Sequence, residues 1–409
     1  MKYFFPVLEE SNLRLQAVLL RFVAIFLFLT SLSISFAPAV RLHTWQADFP
    51  LLHWIGFVLW FVVFSIIHFL SQKQLPNLDP YLIPITGLLT GWGLLTIFRL
   101  DEMFGLRQTA WMVVAGVIFC AAIRHPEILR LMRRYKYVWL AGGLLLTGLT
   151  FFFGTYPGGE GPNLWLNFGT LYLQPSEPLK LLLIIYLAAY FADQTTAKLR
   201  SIRLMAPTMI VIAAAVLLLL AQRDLGTALI FLLIYFVVGF LASGKSMVLL
   251  LGAGLVSAAG VLGYRIFPVI QQRVTTWLNP WADPTGSSYQ IVQSLIAVAS
   301  GGLMGRGPGL GNPNLVPIAH SDFIFTSIAE EFGLLGSIGM MLAFALLAGR
   351  ALVIAIRAPN VYRRLLAAGL AVYLSLQALF IIAGNLNLLP LSGIRSEEHT
   401  SELQSRGLI

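Results

Sequence analysis

From Ala17 to Ala37 the chain runs through apolar residues with a single charge, Arg21, and ten further stretches of similar character follow. A bilayer-spanning helix needs about 20 mostly apolar residues. In lipid, every backbone N–H and C=O of such a stretch must find its partner inside the protein, which leaves helices as the solution here. The stretches lie at roughly 15–38, 50–70, 81–99, 108–123, 137–153, 178–192, 205–221, 225–242, 246–267, 322–349 and 365–389. The expected fold is an all-α polytopic membrane protein with about 11 transmembrane helices. Composition agrees: 58% of residues are hydrophobic and 11% charged, against about 45–50% and about 25% in soluble domains. A soluble enzyme, a disordered chain and a disulfide scaffold are excluded.

The one cysteine, Cys120, lies in an apolar run and reads as an inert, buried thiol. The first stretch is too long for the apolar region of a cleavable signal peptide and reads as a retained helix. The net charge of +9 comes from short basic clusters between apolar stretches, a topology signal and not a nucleic-acid footprint. If the N-terminus is inside, the cytoplasmic segments hold Lys2, Arg14, Lys73, the cluster from Arg124 to Lys136, and Arg350 to Arg364. These outnumber the outer basic residues, among them Arg41, Arg99, Arg223 and Arg306, so the N-terminus is expected in the cytoplasm.

Two outer segments are unlike simple connectors. Residues 154–177 are rich in Gly and Pro and carry Trp165, Gln174 and Glu177. Residues 268–321 form a long outer loop, well beyond ordinary connection length, and such loops are usually functional. It contains Trp277, Pro280, Trp281 and Pro284, an apolar piece from Ile291 to Ala299 that reads as a short helix on or re-entering the membrane, and a glycine-dense run from Gly301 to Gly311. No internal repeat is evident, which weakens a secondary-transporter reading.

Ionisable groups inside or beside spanning helices are costly there and tend to be paired or functional. Glu177 and Lys180 are i,i+3 neighbours at a helix start, where Ser176 can cap and Pro178 is tolerated. They make either a capped helix with an ion pair or a polar cluster facing a substrate cavity. Asp224, in Gln222-Arg223-Asp224, either caps the next helix, pairs with Arg223 or faces the same cavity. Asp283, in Asp283-Pro284-Thr285-Gly286, has ordinary turn chemistry around it, yet it is the acid available if the long loop performs acid–base work. Gly301–Gly311 with Arg306 can form a nest of N–H groups for an anion, but lacks the ending of a P-loop. His320, Asp322, Glu330 and Glu331 follow, the two adjacent glutamates pointing about 100° apart. The histidines have no metal-ligand spacing. From residues alone the reading is an outward polar cavity with carboxylates, a lysine and an arginine, fit for an enzyme on a lipid-linked anionic substrate or for a transporter of one.

Taken in order, Gln174-Pro-Ser-Glu177-x-x-Lys180, Gln222-x-Asp224-Leu-Gly-Thr, Asp283-Pro-x-Gly-x-x-Tyr289-Gln, Gln293-Ser294, Ser300-Gly-Gly, His320-x-Asp322-Phe-Ile-Phe and Glu330-Glu-x-Gly resemble the SEDS family of RodA, FtsW and SpoVE over about residues 79–394. The resemblance implies a peptidoglycan polymerase, a glycosyltransferase that moves disaccharide-peptide units from lipid II to the growing glycan strand at the outer face of the bacterial cytoplasmic membrane, in cell elongation or division. It implies Asp283 as catalytic general base, and substrate contacts from Trp165, Gln174, Glu177, Lys180, Asp224, Gln293, Ser294, Arg306, His320 and Asp322. It also implies a divalent cation (Mg or Mn), though no ligand set is evident, and a class B penicillin-binding protein as partner. A lipid II flippase or a non-catalytic scaffold of the cell-wall machinery is the alternative.

Three departures from the family pattern stand out. Asn163-Leu164 precede Trp165 where the family often has a basic residue, and Gln222-Arg223-Asp224 replaces its Gln-Pro-Asp. Residues 1–78 are expected as a two-helix extension, and 79–394 as the SEDS core with nine of its ten helices. Residues 395–409, beginning Arg395-Ser-Glu-Glu-His-Thr, resemble a translated sequencing adapter and are read as a non-native tail. On that reading the tenth core helix is missing, and the chain as it stands is a candidate for an inactive copy.

Overall fold

The computed structural model describes residues 9–75, 78–156, 163–169, 171–194, 205–312, 315–317 and 319–390. The expected tail at 395–409 lies outside the described residues. The eleven apolar stretches are all helical. Nine helices among the described residues are long and apolar enough to cross a membrane. The other two stretches are shorter helices, Ser176–Ala192 with 17 residues and Ala206–Ala221 with 16.

In chain order the helices are α1 (Glu9–Leu42), α2 (His53–Gln74), α3 (Leu82–Leu100), α4 (Glu102–Arg124), α5 (Glu127–Arg134), α6 (Lys136–Phe153), α7 (Ser176–Ala192), α8 (Ala206–Ala221), α9 (Leu225–Ser243), α10 (Ser246–Ile266), α11 (Pro268–Leu278), α12 (Tyr289–Gly301), α13 (Ile324–Arg357) and α14 (Val361–Asn385). The chain divides into two compact units, residues 1–128 with 293–350, and residues 129–292 with 351–409.

In the first unit α1 packs on α3, and α2 on both α3 and α4. The seam is aromatic and small: the Trp60 indole donates to the Gly87 carbonyl at 2.9 Å and its ring stacks on Phe64. A Cβ at Gly91 would run into Leu27, so glycine is what lets α1 approach α3 there. Near one end of α13, Arg350 bonds the Asp79 carboxylate and lies over the Tyr81 ring.

In the second unit α7 is the central helix. It packs on α6, α9 and α14, and Leu179, Leu183, Ile184, Leu187, Ala188 and Ala189 are fully buried. A helix apolar on all faces belongs in the middle of a bundle. By contrast α6 and α10 expose Tyr137, Val138, Leu145, Leu250 and Val261, the faces expected against lipid. Asp193, at the C-terminal end of α7, is held by Arg133 at 2.7 Å and Lys136 at 2.5 Å. Burial pushes its carboxyl up, and those two hydrogen bonds outweigh the push and hold it below the usual range.

Two features were not expected. Residues 154–173 contain a small antiparallel sheet in the order β1 (Gly154–Thr155), β2 (Trp165–Phe168), β3 (Leu171–Leu173), with Leu166 opposite both Gly154 and Leu173. The long outer segment is also more helical than the single short helix expected at 291–299. It holds α11, a 3-10 turn at Pro280–Ala282 and then α12.

Candidate functional site

In the second unit the chain enters α7 through Gln174-Pro175. Ser176 was the expected cap, but the capping position is Pro175 and Ser176 is buried, its hydroxyl donating to Asp224 Oδ2 at 3.4 Å. Gln174 donates to the same Ser176 hydroxyl at 3.1 Å. Asp224 does cap α9, accepting from the Thr227 N–H at 3.1 Å through Oδ1. Burial pushes the Asp224 carboxyl up, partly offset by the hydrogen bonds from Thr227 and the charge of Lys180.

One turn into α7, Lys180 Nζ donates to Glu177 Oε1 at 2.8 Å. The lysine side chain is 2% exposed and the glutamate 44%, so the pair has a buried cation and a carboxylate open on one side. Tyr373 of α14 completes it: its ring lies 5.3 Å from Lys180 Nζ and its hydroxyl donates to Glu177 Oε2 at 3.5 Å. Just beyond, Gln222 Nε2 donates to the Thr147 carbonyl at 2.7 Å and the Thr150 hydroxyl at 2.8 Å, closing α6 onto the α8–α9 corner. Of the first alternative read from the sequence the ion pair is present and the Ser176 cap is not, and the glutamate side of the pair is open.

Asp283 is in the same unit, exposed, just past the 3-10 turn. The preceding α11 is tied to the end of α14 by two hydrogen bonds, Trp277 Nε1 to the Asn387 carbonyl at 3.0 Å and Asn387 Nδ2 to the Trp277 carbonyl at 3.1 Å. The carboxylate accepts from the Ser287 N–H at 2.7 Å, the Ser287 hydroxyl at 3.0 Å and the Gly286 N–H at 3.1 Å. The Ser287 bonds, with a smaller contribution from Gly286, hold the Asp283 carboxyl below the usual carboxylate range. It is therefore ionised at neutral pH and able to accept a proton. Trp165 lies on β2, half-buried.

The remaining expected residues belong to the first unit. Gln293 is half-buried on α12, and the Ser294 hydroxyl is buried against that of Thr326 at 2.6 Å. His320 stacks on Phe104 with ring centroids 4.2 Å apart, and Asp322 is half-buried just before α13.

The glycine run does something other than cradle an anion. Helix α13 breaks at Gly333, which has φ 67° and ψ −163°, a region essentially reserved for glycine. The freed N–H groups of Leu334 and Leu335 donate to the carbonyls of Gly302 and Leu303 at 2.9 and 3.2 Å. In return the N–H groups of Arg306 and Gly307 donate to the carbonyls of Glu330 and Glu331 at 3.0 and 2.9 Å. N–H groups expected to face a ligand are thus used on the broken helix. The carbonyls of Gly309 and Gly311 take Arg99 Nη2 at 3.0 and 3.1 Å, and Gly311 also takes Arg41 Nη2 at 2.6 Å. Arg99 Nε lies 3.4 Å from Glu331 Oε1, and Arg306 lies 3.5 Å from Glu330 Oε1 with 43% of its side chain exposed.

Sequence reasoning missed Tyr373, Arg41 and Arg99 as parts of these clusters. The arginines were visible as charges at helix ends; a tyrosine in mid-helix carries no signal of its own.

The family model described as cell cycle protein, covering FtsW, RodA and SpoVE, matches residues 82–396. The peptidoglycan glycosyltransferase RodA of Mycobacterium tuberculosis is 32% identical over 354 residues, 81% of this chain and 76% of that one. The probable peptidoglycan glycosyltransferase FtsW of Halothiobacillus neapolitanus is 35% identical over 339 residues, 78% of this chain and 80% of that one. Among solved structures, a chain from a study of how a peptidoglycan synthase complex coordinates polymerization and crosslinking matches with TM-score 0.56 at 24% identity, over 87% of this chain and 95% of its own. That likeness extends to the fold. With its apolar helices and the match across 82–396, the chain belongs to the FtsW/RodA/SpoVE family of multi-pass bacterial membrane proteins.

Proposed function

We propose that this chain is a peptidoglycan glycosyltransferase, joining disaccharide-peptide units from lipid II to a nascent glycan strand at the outer face of the cytoplasmic membrane. The observation that carries it is the pairing, in one unit, of an exposed ionised carboxylate at Asp283 with the half-open Glu177–Lys180 cluster. A hydroxyl nucleophile attacking an anomeric carbon must lose a proton, and a pyrophosphate leaving group must have its charge met.

In this reading Asp283 takes the proton of the acceptor 4-hydroxyl as the C1–O4 bond forms and the C1–O bond to pyrophosphate breaks. The electron pair leaves with undecaprenyl pyrophosphate. Its negative charge is met by Lys180, desolvated and therefore effective at short range. Glu177 and Tyr373 hold Lys180 in place. Trp165, Gln174, Asp224, Gln293, Ser294, Arg306, His320 and Asp322 are assigned to substrate contact on the family resemblance.

The expected divalent cation does not fit as a resident of a protein cage. Among the described residues no three His, Cys, Asp or Glu side chains converge to hold one. No step here runs through it. A class B penicillin-binding protein is the proposed partner, supplying the crosslinking that complements polymerization.

The test is polymerization from labelled lipid II by the purified chain with that partner, with and without Asp283→Asn. Loss of glycan product by at least about 100-fold in the variant, at unchanged monodispersity, is the expected result. Undiminished product would overturn the base assignment, and lipid II transport without polymerization would replace the enzyme by a flippase.

A further inference from the structure

Helices α1 and α2 precede the region that the family model covers, which starts at residue 82, and between them lies a groove of about 680 Å³ that the polymerase reading does not use. Its walls are Ala17, Leu20, Ala24, Trp60, Phe61 and Phe64, and its polar lining is Arg21, Ser65, His68 and Gln72. His68 is fixed between Gln16 at 2.9 Å and Gln72 at 2.8 Å. The Arg21 side chain has no such fixture and its residue is exposed.

We propose that this groove is a binding site for an anionic glycerophospholipid of the cytoplasmic leaflet, with one acyl chain along the aromatic wall and the headgroup phosphate at Arg21. Placement and charge both point there. Arg21 is in the first half of α1, and His68 and Gln72 are in the last turns of α2, so the polar lining belongs to the half of the two helices that the positive-inside pattern puts toward the cytoplasm. The α1 span runs 30 residues from Leu13 to Leu42, or about 45 Å, longer than the roughly 30 Å hydrocarbon core. Its early turns therefore reach headgroup level, where an arginine extends its charge to phosphate along an apolar stem. Arg21 is the one Lys, Arg, Asp or Glu among the residues that line the groove, and it lies about three turns inward of Glu9 and Glu10, the acids at the start of α1. An uncharged apolar groove would accept any lipid tail. This one adds a cation where a phosphate or phosphatidylglycerol charge sits.

The purified full chain is placed in phosphatidylcholine nanodiscs containing a minor share of phosphatidylglycerol with a photoactivatable diazirine in one tail, or of phosphatidylcholine with the same tail. Labelled peptides are then mapped. The expected result is labelling of residues 17–24 and 60–72 at least about five-fold higher with phosphatidylglycerol, the effect of one basic residue near an anionic headgroup. Arg21→Gln should bring the two lipids level. Ala24→Phe, which fills the groove, should remove the labelling with both lipids while leaving that at the exposed α4 residues Val117 and Ile118 unchanged. Equal labelling by the two lipids, phosphatidylglycerol preference that survives Arg21→Gln, or groove labelling no higher than at Val117 and Ile118 would each overturn the proposal.

Discussion

In the first unit Arg41, Arg99 and Glu331 converge on the carbonyls of Gly309 and Gly311 and on a helix broken at Gly333. In the second unit Glu177, Lys180 and Asp224 meet at the start of a helix that is not broken. Both are clusters of charge at helix ends in an apolar protein, and the rule that such charges are functional or paired covers both. The difference is what they hold. In the first set the two arginines donate into backbone carbonyls and make an irregular backbone tolerable by burying its polar groups in protein partners. The second holds side chains to side chains and leaves Glu177 open. Charge in a membrane interior marks a place that matters; the atoms it bonds to decide whether it matters for folding or for chemistry.

The largest effect should come from breaking the first cluster. Gly333→Ala puts a Cβ against the Gly305 N–H and within 2.7 Å of the Leu303 carbonyl oxygen, on a backbone that alanine avoids. Arg99→Ala leaves the buried Glu331 carboxylate without its cation and takes one of the two arginine donors from the Gly309 and Gly311 carbonyls. Each should cost about 3–5 kcal/mol, read as loss of monodisperse protein or a large fall in detergent unfolding temperature. Arg99→Lys should recover little, because a single ammonium cannot reproduce the planar fork that meets two carbonyls and a carboxylate. If either substitution leaves stability intact, the first cluster is not structural and the comparison collapses.

Glu177→Gln should behave the other way. The carboxylate is nearly half exposed, so its pair contributes at most about 1 kcal/mol, and Lys180 keeps the neighbouring Asp224 charge. Polymerization should nevertheless fall by about ten-fold or more, because the lysine loses the group that aims it. The measurement is glycan product from lipid II beside unfolding temperature for the same preparation. A stability loss matching that of Arg99→Ala, with activity per folded molecule unchanged, would move this cluster into the structural class too.

The sequence made the helices and the family readable for different reasons. Spanning helices follow from apolar length, and every expected stretch is helical, down to the 16-residue Ala206–Ala221. Asp283, Glu177 and Lys180 were visible because their strings are ordered along the chain. What was misread has more than one physical cause. The strands of 154–173 are two to four residues each, too short for alternation to register. Helix α11 has an Arg and two Gln in 11 residues and no apolar run to announce it. The glycine run fits an anion nest and a clamp on a broken helix equally well as sequence; only the position of Gly333, some thirty residues from Gly301–Gly305 and bonded back to it, tells them apart. Tyr373 joins Glu177 across 196 positions, a separation that no local pattern encodes.

The finest test concerns Asp283 itself, the one acid of the comparison whose carboxylate is fully in water yet already held. Its N–H and hydroxyl donors from Ser287 favour the ionised form, so the folded carboxyl titrates below its ordinary value. A general base works ionised, so polymerization should be lost as pH falls through that depressed value and be full above it. Any stability tied to the depression has the same sign: present above the unfolded carboxyl's pKa and lost as pH falls through the folded one. Ser287→Ala removes the hydroxyl donor and leaves the N–H, so the carboxyl rises toward its usual value and the acid limb of the pH–rate profile moves to higher pH. The plateau should hold or rise slightly, since a higher pKa makes a better base. Glu177→Gln, by contrast, should lower the plateau and leave the acid limb where it is. An acid limb that Ser287→Ala does not move would mean that the titrating group lies elsewhere, and Asp283 would then be a carboxylate held by its loop for the sake of the turn, closer in kind to the first cluster than to the second.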